Sequence, residues 1–201
     1  MGCDIMKAAK GGRSGQIEKR ILLLGLDNAG KTSILLHFKE NSFMPSSVPT
    51  VGLNIEQVNF RDYVLTFWDV GGQATKLWKH YFDRVDGLIF VIDSTDKTRL
   101  AKAKSELQRV GRDPALQQVP YLLMFNKIDL ADQRIPLEEI IQKIDVEELS
   151  QNRVINFQEC SAMTGEGIWE GLTTLIEIFE RTDPSKTGGS GPSTAGTIDS
   201  S

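Results

Sequence analysis

Apolar and polar positions along this chain fall into blocks. Ile21-Leu22-Leu23-Leu24 is a short, wholly apolar run that stops at Gly25. Leu88 to Ile92 is a second, stopping at Asp93, and Tyr121 to Phe125 is a third, stopping at Asn126. Short runs that are apolar on both faces are what a parallel sheet with covered faces requires. Between them, Leu100, Ala103, Leu107 and Val110 recur at helical spacing, as do Ile168, Leu172, Leu175, Ile176 and Phe179. The pattern predicts strands joined by helical crossovers, an α/β fold with a doubly wound, mostly parallel sheet. Residues 53–69 break the rhythm. Leu53, Ile55 and Val58 precede the polar pair Arg61-Asp62, and Val64, Leu65 and Phe67 follow it. That arrangement predicts a hairpin, and with it one antiparallel edge strand.

Composition narrows the class. A chain of 201 residues, 40% hydrophobic and 25% charged, is ordinary for one globular domain with extensions. Wholly disordered, collagen-like and coiled-coil classes are excluded. No apolar run is long enough to span a bilayer, and the first residues lack the apolar stretch of a secretory signal. Cys3 and Cys160 are the only cysteines, so no disulfide framework is expected and a reducing compartment is.

The formal net charge of −4 hides an asymmetry. Lys7, Lys10, Arg13, Lys19 and Arg20 outnumber Asp4 and Glu18 in the first twenty residues. The acidic remainder argues against a nucleic-acid surface. The basic start suits either an anionic membrane face or a solvated arm. Residues 182–201 are dominated by Gly, Ser, Thr and Pro, the composition of a disordered tail, and end Asp-Ser-Ser, without a prenylation signal. The expected organisation is a membrane-proximal arm over 1–17, a domain over 18–181 and a tail over 182–201.

Polar clusters follow the strand-like runs at 25–32, 69–73 and 126–129, and ligands in open α/β sheets sit beyond such strand ends. Gly25-Leu26-Asp27-Asn28-Ala29-Gly30-Lys31-Thr32, continued by Ser33, fits the phosphate-loop spacing between a strand and a helix. Its N–H groups and the helix N-terminus suit phosphate oxygens. Lys31 suits the β- and γ-phosphates, and the Thr32 hydroxyl a Mg²⁺ ion. Asp69 closes the next strand and can hold the metal shell from its second side. Gly72 lets its own N–H approach a γ-phosphate, and Gln73 can orient an attacking water.

Asn126-Lys127-Ile128-Asp129 closes the third run. The Asp129 carboxylate can accept from two guanine nitrogens, a pair adenine does not offer. Lys127 can lie along the base plane, and Asn126 can tie this loop to the phosphate loop. Ser161 and Ala162 follow a further strand-like run, and the Ala162 N–H is a candidate donor to guanine O6. Thr50, in Pro49-Thr50-Val51-Gly52, reads either as a second Mg²⁺ ligand made when a γ-phosphate is present or as part of an ordinary turn.

Five motifs in this order resemble the small GTPases, and among them the ADP-ribosylation factors and their relatives. They are GLDNAGKT at 25–32, PTVG at 49–52, WDVGGQ at 68–73, NKID at 126–129 and SAMTGEG at 161–167. The resemblance covers about residues 18–181. It implies a six-stranded P-loop fold and a GTP/GDP switch with two mobile loops near 42–53 and 70–81. It also implies a hairpin between them that slides in register, expelling an N-terminal segment toward a membrane. Exchange factor, activating protein and effectors are expected on the two loops, the chain itself as a monomer. The expected place is the cytoplasm, with reversible attachment to the Golgi or another endomembrane, in a trafficking role.

The chain departs from that family in places. Residues 2–10 offer few bulky apolar side chains, and Gly11-Gly12 follows. Gly2 is placed for myristoylation, but Met6 stands where the pattern asks for Ser or Thr; Cys3 is a candidate for palmitoylation. After Gln73 the chain reaches Trp78 without the Arg-Pro-containing piece typical of the family. Trp68, Trp78 and Tyr81 read either as an exposed effector patch or as packing for the hairpin. His80 reads as a surface residue, and His37 lies in the first helix; neither has a metal-ligand partner one turn on. Asp27 stands where relatives such as Ras have Gly, and an acid there should slow hydrolysis. Three readings remain open: a slow GTPase switch, a GTP-binding scaffold with negligible hydrolysis, and an ATP-using P-loop enzyme such as a small kinase.

Overall fold

The computed structural model describes residues 16–40, 50, 52–151 and 153–182. The arm with Gly2 and Cys3, the tail from 183, and residues 42–49 and 51 of the first loop lie outside the described residues.

Strands β1 (Ile17–Leu24), β2 (Leu53–Phe60), β3 (Tyr63–Val70), β4 (Gly87–Asp93), β5 (Tyr121–Asn126) and β6 (Ile155–Glu159) form one sheet in the order β2-β3-β1-β4-β5-β6. Every pairing is parallel except β2 with β3, which places the one antiparallel strand at an edge. The fold is therefore the predicted α/β fold. The hairpin turns at Arg61, whose φ of 53° places a non-glycine residue in the left-handed region.

The pleat explains why the strands are apolar throughout. Alternate side chains point to opposite faces, and each face carries its own core. Ile21, Leu23, Ile89, Val91, Leu122 and Met124 pack on one side beneath helices α1 (Lys31–Glu40) and α5 (Ile168–Thr182). Leu22, Leu24, Phe90, Ile92, Leu123 and Phe125 pack on the other beneath α2 (Leu100–Gly111) and α3 (Leu137–Ile144). A left-handed Asp145 ends α3 and turns the chain into the short α4 (Val146–Ser150).

The tryptophans divide the two alternatives left by the sequence. Trp78 is fully buried, edge-on to Phe90 with ring centroids 6.1 Å apart, so it belongs to the core and to no exposed patch. Trp68 and Tyr81 are half-buried neighbours, and the Arg20 guanidinium lies 3.7 Å over the Trp68 ring. The segment carrying Trp78 is a 3₁₀ helix, Thr75–Tyr81. His80 on it is exposed, whereas His37 is buried.

Candidate functional site

The carboxyl ends of β1, β3, β4 and β5 face one way, and the loops leaving them meet. At one end of this junction stand the residues suited to phosphate. Lys31 is 5% exposed, and its amine donates to the carbonyls of Gly25 and Leu26, both at 3.0 Å. Burial lowers its pKa, opposed by the nearby Asp69 and Asp27 carboxylates. The Thr32 hydroxyl donates to Asp69 Oδ2 at 2.6 Å and lies 2.8 Å from the Thr50 hydroxyl. Asp69 is fully buried, and burial raises its pKa against the Thr32 bond and the Lys31 charge. Gly72 packs flat on the phosphate loop, where a Cβ would run into the main chain of Leu26 and Asp27. Gln73 beside it is exposed.

At the other end stand the residues suited to a base. Asn126 is buried and bridges three segments. Its Nδ2 donates to the Ala29 carbonyl at 2.8 Å, and its Oδ1 accepts from the Ala162 N–H at 2.9 Å. The Ala162 N–H, a candidate donor to a base oxygen, is thus engaged by Asn126. The Ser161 hydroxyl donates to Asp129 at 2.6 Å and accepts from the N–H groups of Met163 and Thr164. Lys127 sits at φ 72°, a costly conformation for a non-glycine residue. Its amine is 2.6 Å from the Asp93 carboxylate. Gly30, at φ 96°, lets Asn126 approach the phosphate loop, because a Cβ would collide with Asn126 Nδ2.

The family model for the ADP-ribosylation factor family matches residues 5–179. The chain belongs to this family. Among solved structures it is similar to the Arl6 (BBS3) small GTPase from Trypanosoma brucei with the bound nucleotide analogue GppNp. Identity is 29%, the match covers 83% of this chain and 100% of that one, and the TM-score is 0.75. ADP-ribosylation factor family members bind guanine nucleotides and act as molecular switches through regulators and effectors, and this chain has their fold.

The family implies Mg²⁺, and the residues present suit it. Asp69 Oδ1 is buried without a hydrogen-bond partner, on the same carboxylate that Thr32 engages. Two hydroxyls and one carboxylate are hard oxygen donors of the kind that share Mg²⁺ with phosphates. Among the described residues no cluster of three or more His, Cys, Asp or Glu could hold a metal by itself.

Several residues in this family member's site escaped the sequence reading. Arg99 pairs with Asp27 Oδ1 at 3.0 Å, donates to the Asp27 carbonyl at 3.1 Å and pairs with Asp96 at 2.5 Å. His37 Nε2 lies 2.7 Å from the Ala162 carbonyl, on the loop that carries Ser161. The Arg99–Asp27 and His37–Ala162 contacts have no local signature, because the partners are 72 and 125 residues apart. Between the two switch-like loops lies a cleft of about 120 Å³, lined in part by Thr50, Gly52, Val70, Gln73, Leu77 and Tyr81. Leu77 at its rim is 52% exposed.

Proposed function

We propose that this protein hydrolyses GTP slowly by itself, and that a partner protein accelerates the reaction by supplying an arginine. Phosphoryl transfer asks the protein for positioning and charge rather than a covalent nucleophile. Lys31 is assigned to the β- and γ-phosphates, exchanging two loop carbonyls for phosphate oxygens. N–H groups from Gly25, Asp27, Asn28, Ala29 and Gly30, and from the helix start at Thr32 and Ser33, are assigned to the remaining phosphate oxygens. Thr32 and Thr50 would hold Mg²⁺, with Asp69 behind them, and the ion would neutralise charge developing on the phosphates. Gly72 offers its N–H to the γ-phosphate, and Gln73 orients the water. Asp129, fixed by Ser161, reads the guanine edge, and Lys127 covers the base plane.

The observation that carries the slow rate is the state of Arg99. It reaches the phosphate loop, yet its guanidinium is engaged by Asp27 and Asp96. An arginine held in that way leaves transition-state charge to be met from outside. A scaffold without hydrolysis is the weaker reading, because Gln73 stands exposed beside the loop that Gly72 touches. Single-turnover hydrolysis of GTP in millimolar Mg²⁺ tests this. The wild-type protein should hydrolyse slowly, and Gln73→Leu should slow it by at least about 10-fold, since losing the group that orients the water costs on that order or more. Equal rates for the two would end this assignment of Gln73. Fast turnover without any partner would end the requirement for an outside arginine.

The same proposal extends to place and partners. Residues 42–53 and 70–81 would carry the exchange factor, the activating protein and the effectors, with the cleft beside Leu77 as part of that surface. A monomer attached reversibly to an endomembrane through Gly2, Cys3 or both, in a trafficking role, accords with the basic arm. One lipid chain alone would anchor it only marginally. Intact mass of the protein from its native cell decides the lipid.

A further inference from the structure

The loop that carries Gln73 is pinned at both ends. Upstream, Gly71 donates its N–H to the Gly52 carbonyl at 2.9 Å and accepts from the Trp78 indole at 3.0 Å. Downstream, Thr75 is buried and engaged twice by α2. Its hydroxyl donates to Glu106 at 2.9 Å, and its carbonyl accepts from the Arg109 guanidinium at 2.8 Å. Glu106 and Arg109 pair with each other at 2.7 Å, which holds the fork that reaches Thr75. The Arg109 guanidinium also lies 5.8 Å from the centre of the Trp78 ring. Only Gly72, Gln73 and Ala74 remain between the two anchors, and Gln73 and Ala74 are exposed.

The physical consequence follows from chain length. A span this short between two fixed points has few backbone conformations left. Gln73 is therefore aimed by its backbone, while its side chain stays free to meet a water. Helix α2 supplies the downstream anchor, and charge-assisted bonds of this type hold their geometry better than neutral ones.

We propose that Thr75, Glu106 and Arg109 are positioning residues for hydrolysis, forming a strut from α2 that sets where Gln73 points. The proposal rests on the reading of Gln73 as the residue that orients water. Its reach is specific: the strut touches neither the base end nor Lys31 among the bonds described. Loosening it should alter the hydrolytic step and leave nucleotide retention alone.

The test uses the full chain loaded with GTP and Mg²⁺. Single-turnover hydrolysis and the dissociation rate of a fluorescent GDP are measured for Thr75→Val, Glu106→Gln and Arg109→Ala, each with Gln73 intact and in a Gln73→Leu background. Each single variant should slow hydrolysis about 3- to 10-fold, since small misplacements of a positioned group cost rates of this order or more. Nucleotide dissociation should stay within about two-fold. Thr75→Ser, which keeps the hydroxyl, should recover most of the rate. In the Gln73→Leu background the strut variants should add nothing. Further slowing in that background, or a parallel rise in nucleotide dissociation, would mean a general structural role and overturn the proposal. So would Thr75→Val at the wild-type rate while Gln73→Leu is slow. Should Gln73→Leu itself run at the wild-type rate, the reading of Gln73 falls, and the strut falls with it.

Discussion

The two ends of the junction are built differently. At the base end most polar groups are held from β4, β5 or α1, with Ser161 on its loop the exception. Asn126 closes β5 and bonds Ala29 and Ala162. Ser161 holds Asp129, Asp93 holds Lys127, and His37 of α1 holds Ala162 from behind. At the phosphate end one bond, Thr32 to Asp69, joins α1 to β3, and the other contacts run to loops. Thr50 meets Thr32 across two segments, Gly72 lies on the phosphate loop, and Lys31 bonds the carbonyls of its own loop. A preorganised end suits constant recognition of one base. An end assembled from loops suits a reading of how many phosphates are present, because each loop can leave without disturbing the base.

The sharpest break of that contrast is Asp129→Asn. If the base end reads guanine through this carboxylate, the variant loses GTP affinity by about 10³-fold or more, the scale on which a buried polar reader rejects an analogue. It should then accept xanthosine nucleotides, whose altered edge matches an amide. Titration of GTP and xanthosine triphosphate against both proteins checks this. Unchanged preference for GTP would show that the base is read elsewhere and would reopen an ATP-type reading of the loop.

Asp69→Asn strikes the phosphate end and should leave base preference intact. Apparent Mg²⁺ affinity of the nucleotide complex should fall about 10- to 100-fold, as when partners behind metal ligands are removed. Stability should move the other way. Burial raises the Asp69 pKa, so the folded protein holds that proton more tightly than the unfolded chain does. Its contribution to stability is complete below the ordinary carboxylate range and is lost as pH rises through the raised value. Asparagine removes that loss, so the variant without nucleotide or Mg²⁺ should gain stability at neutral pH and little or nothing in acid. Denaturant melts at pH 4 and pH 7 read the difference. Equal shifts at both would show that the carboxylate's charge is not the cause.

Much of this was legible from the chain alone, for a physical reason. Strands covered on both faces must be apolar at every position, so Leu88–Ile92 and Tyr121–Phe125 announce β4 and β5 without help from elsewhere. The phosphate loop and the Asn126–Asp129 loop are contiguous, so spacing carries them. What escaped depends on contacts between distant segments. Trp78 offered no local sign of its burial, because Phe90 on another strand provides its seat. His37 has only its place in a helix to mark it, yet its side chain is buried and its Nε2 meets the Ala162 carbonyl, which makes the imidazole a bridge to the Ser161 loop. Arg99 belongs to no motif, and its pairing with Asp27 appears only when the start of α2 is placed beside the phosphate loop.

His37 also gives the finest test of the contrast, because it links α1, which starts at the phosphates, to the loop behind the base. The bond to the Ala162 carbonyl is 2.7 Å long and buried, with the imidazole N–H donating, since a carbonyl only accepts. His37→Leu fills similar space but leaves that carbonyl without its donor, at a cost of about 1 kcal/mol or somewhat more. If the base end is rigid because of such supports, the loop carrying Ser161 loosens and GDP leaves roughly five-fold faster. The single-turnover hydrolysis rate of bound GTP should not change, because Lys31, Thr32 and Gln73 keep their places. His37→Gln, whose amide can still donate, should return part of the retention. A hydrolysis rate that fell together with retention would show that α1 transmits the loosening to the phosphates, and the two ends would then have to be treated as one unit.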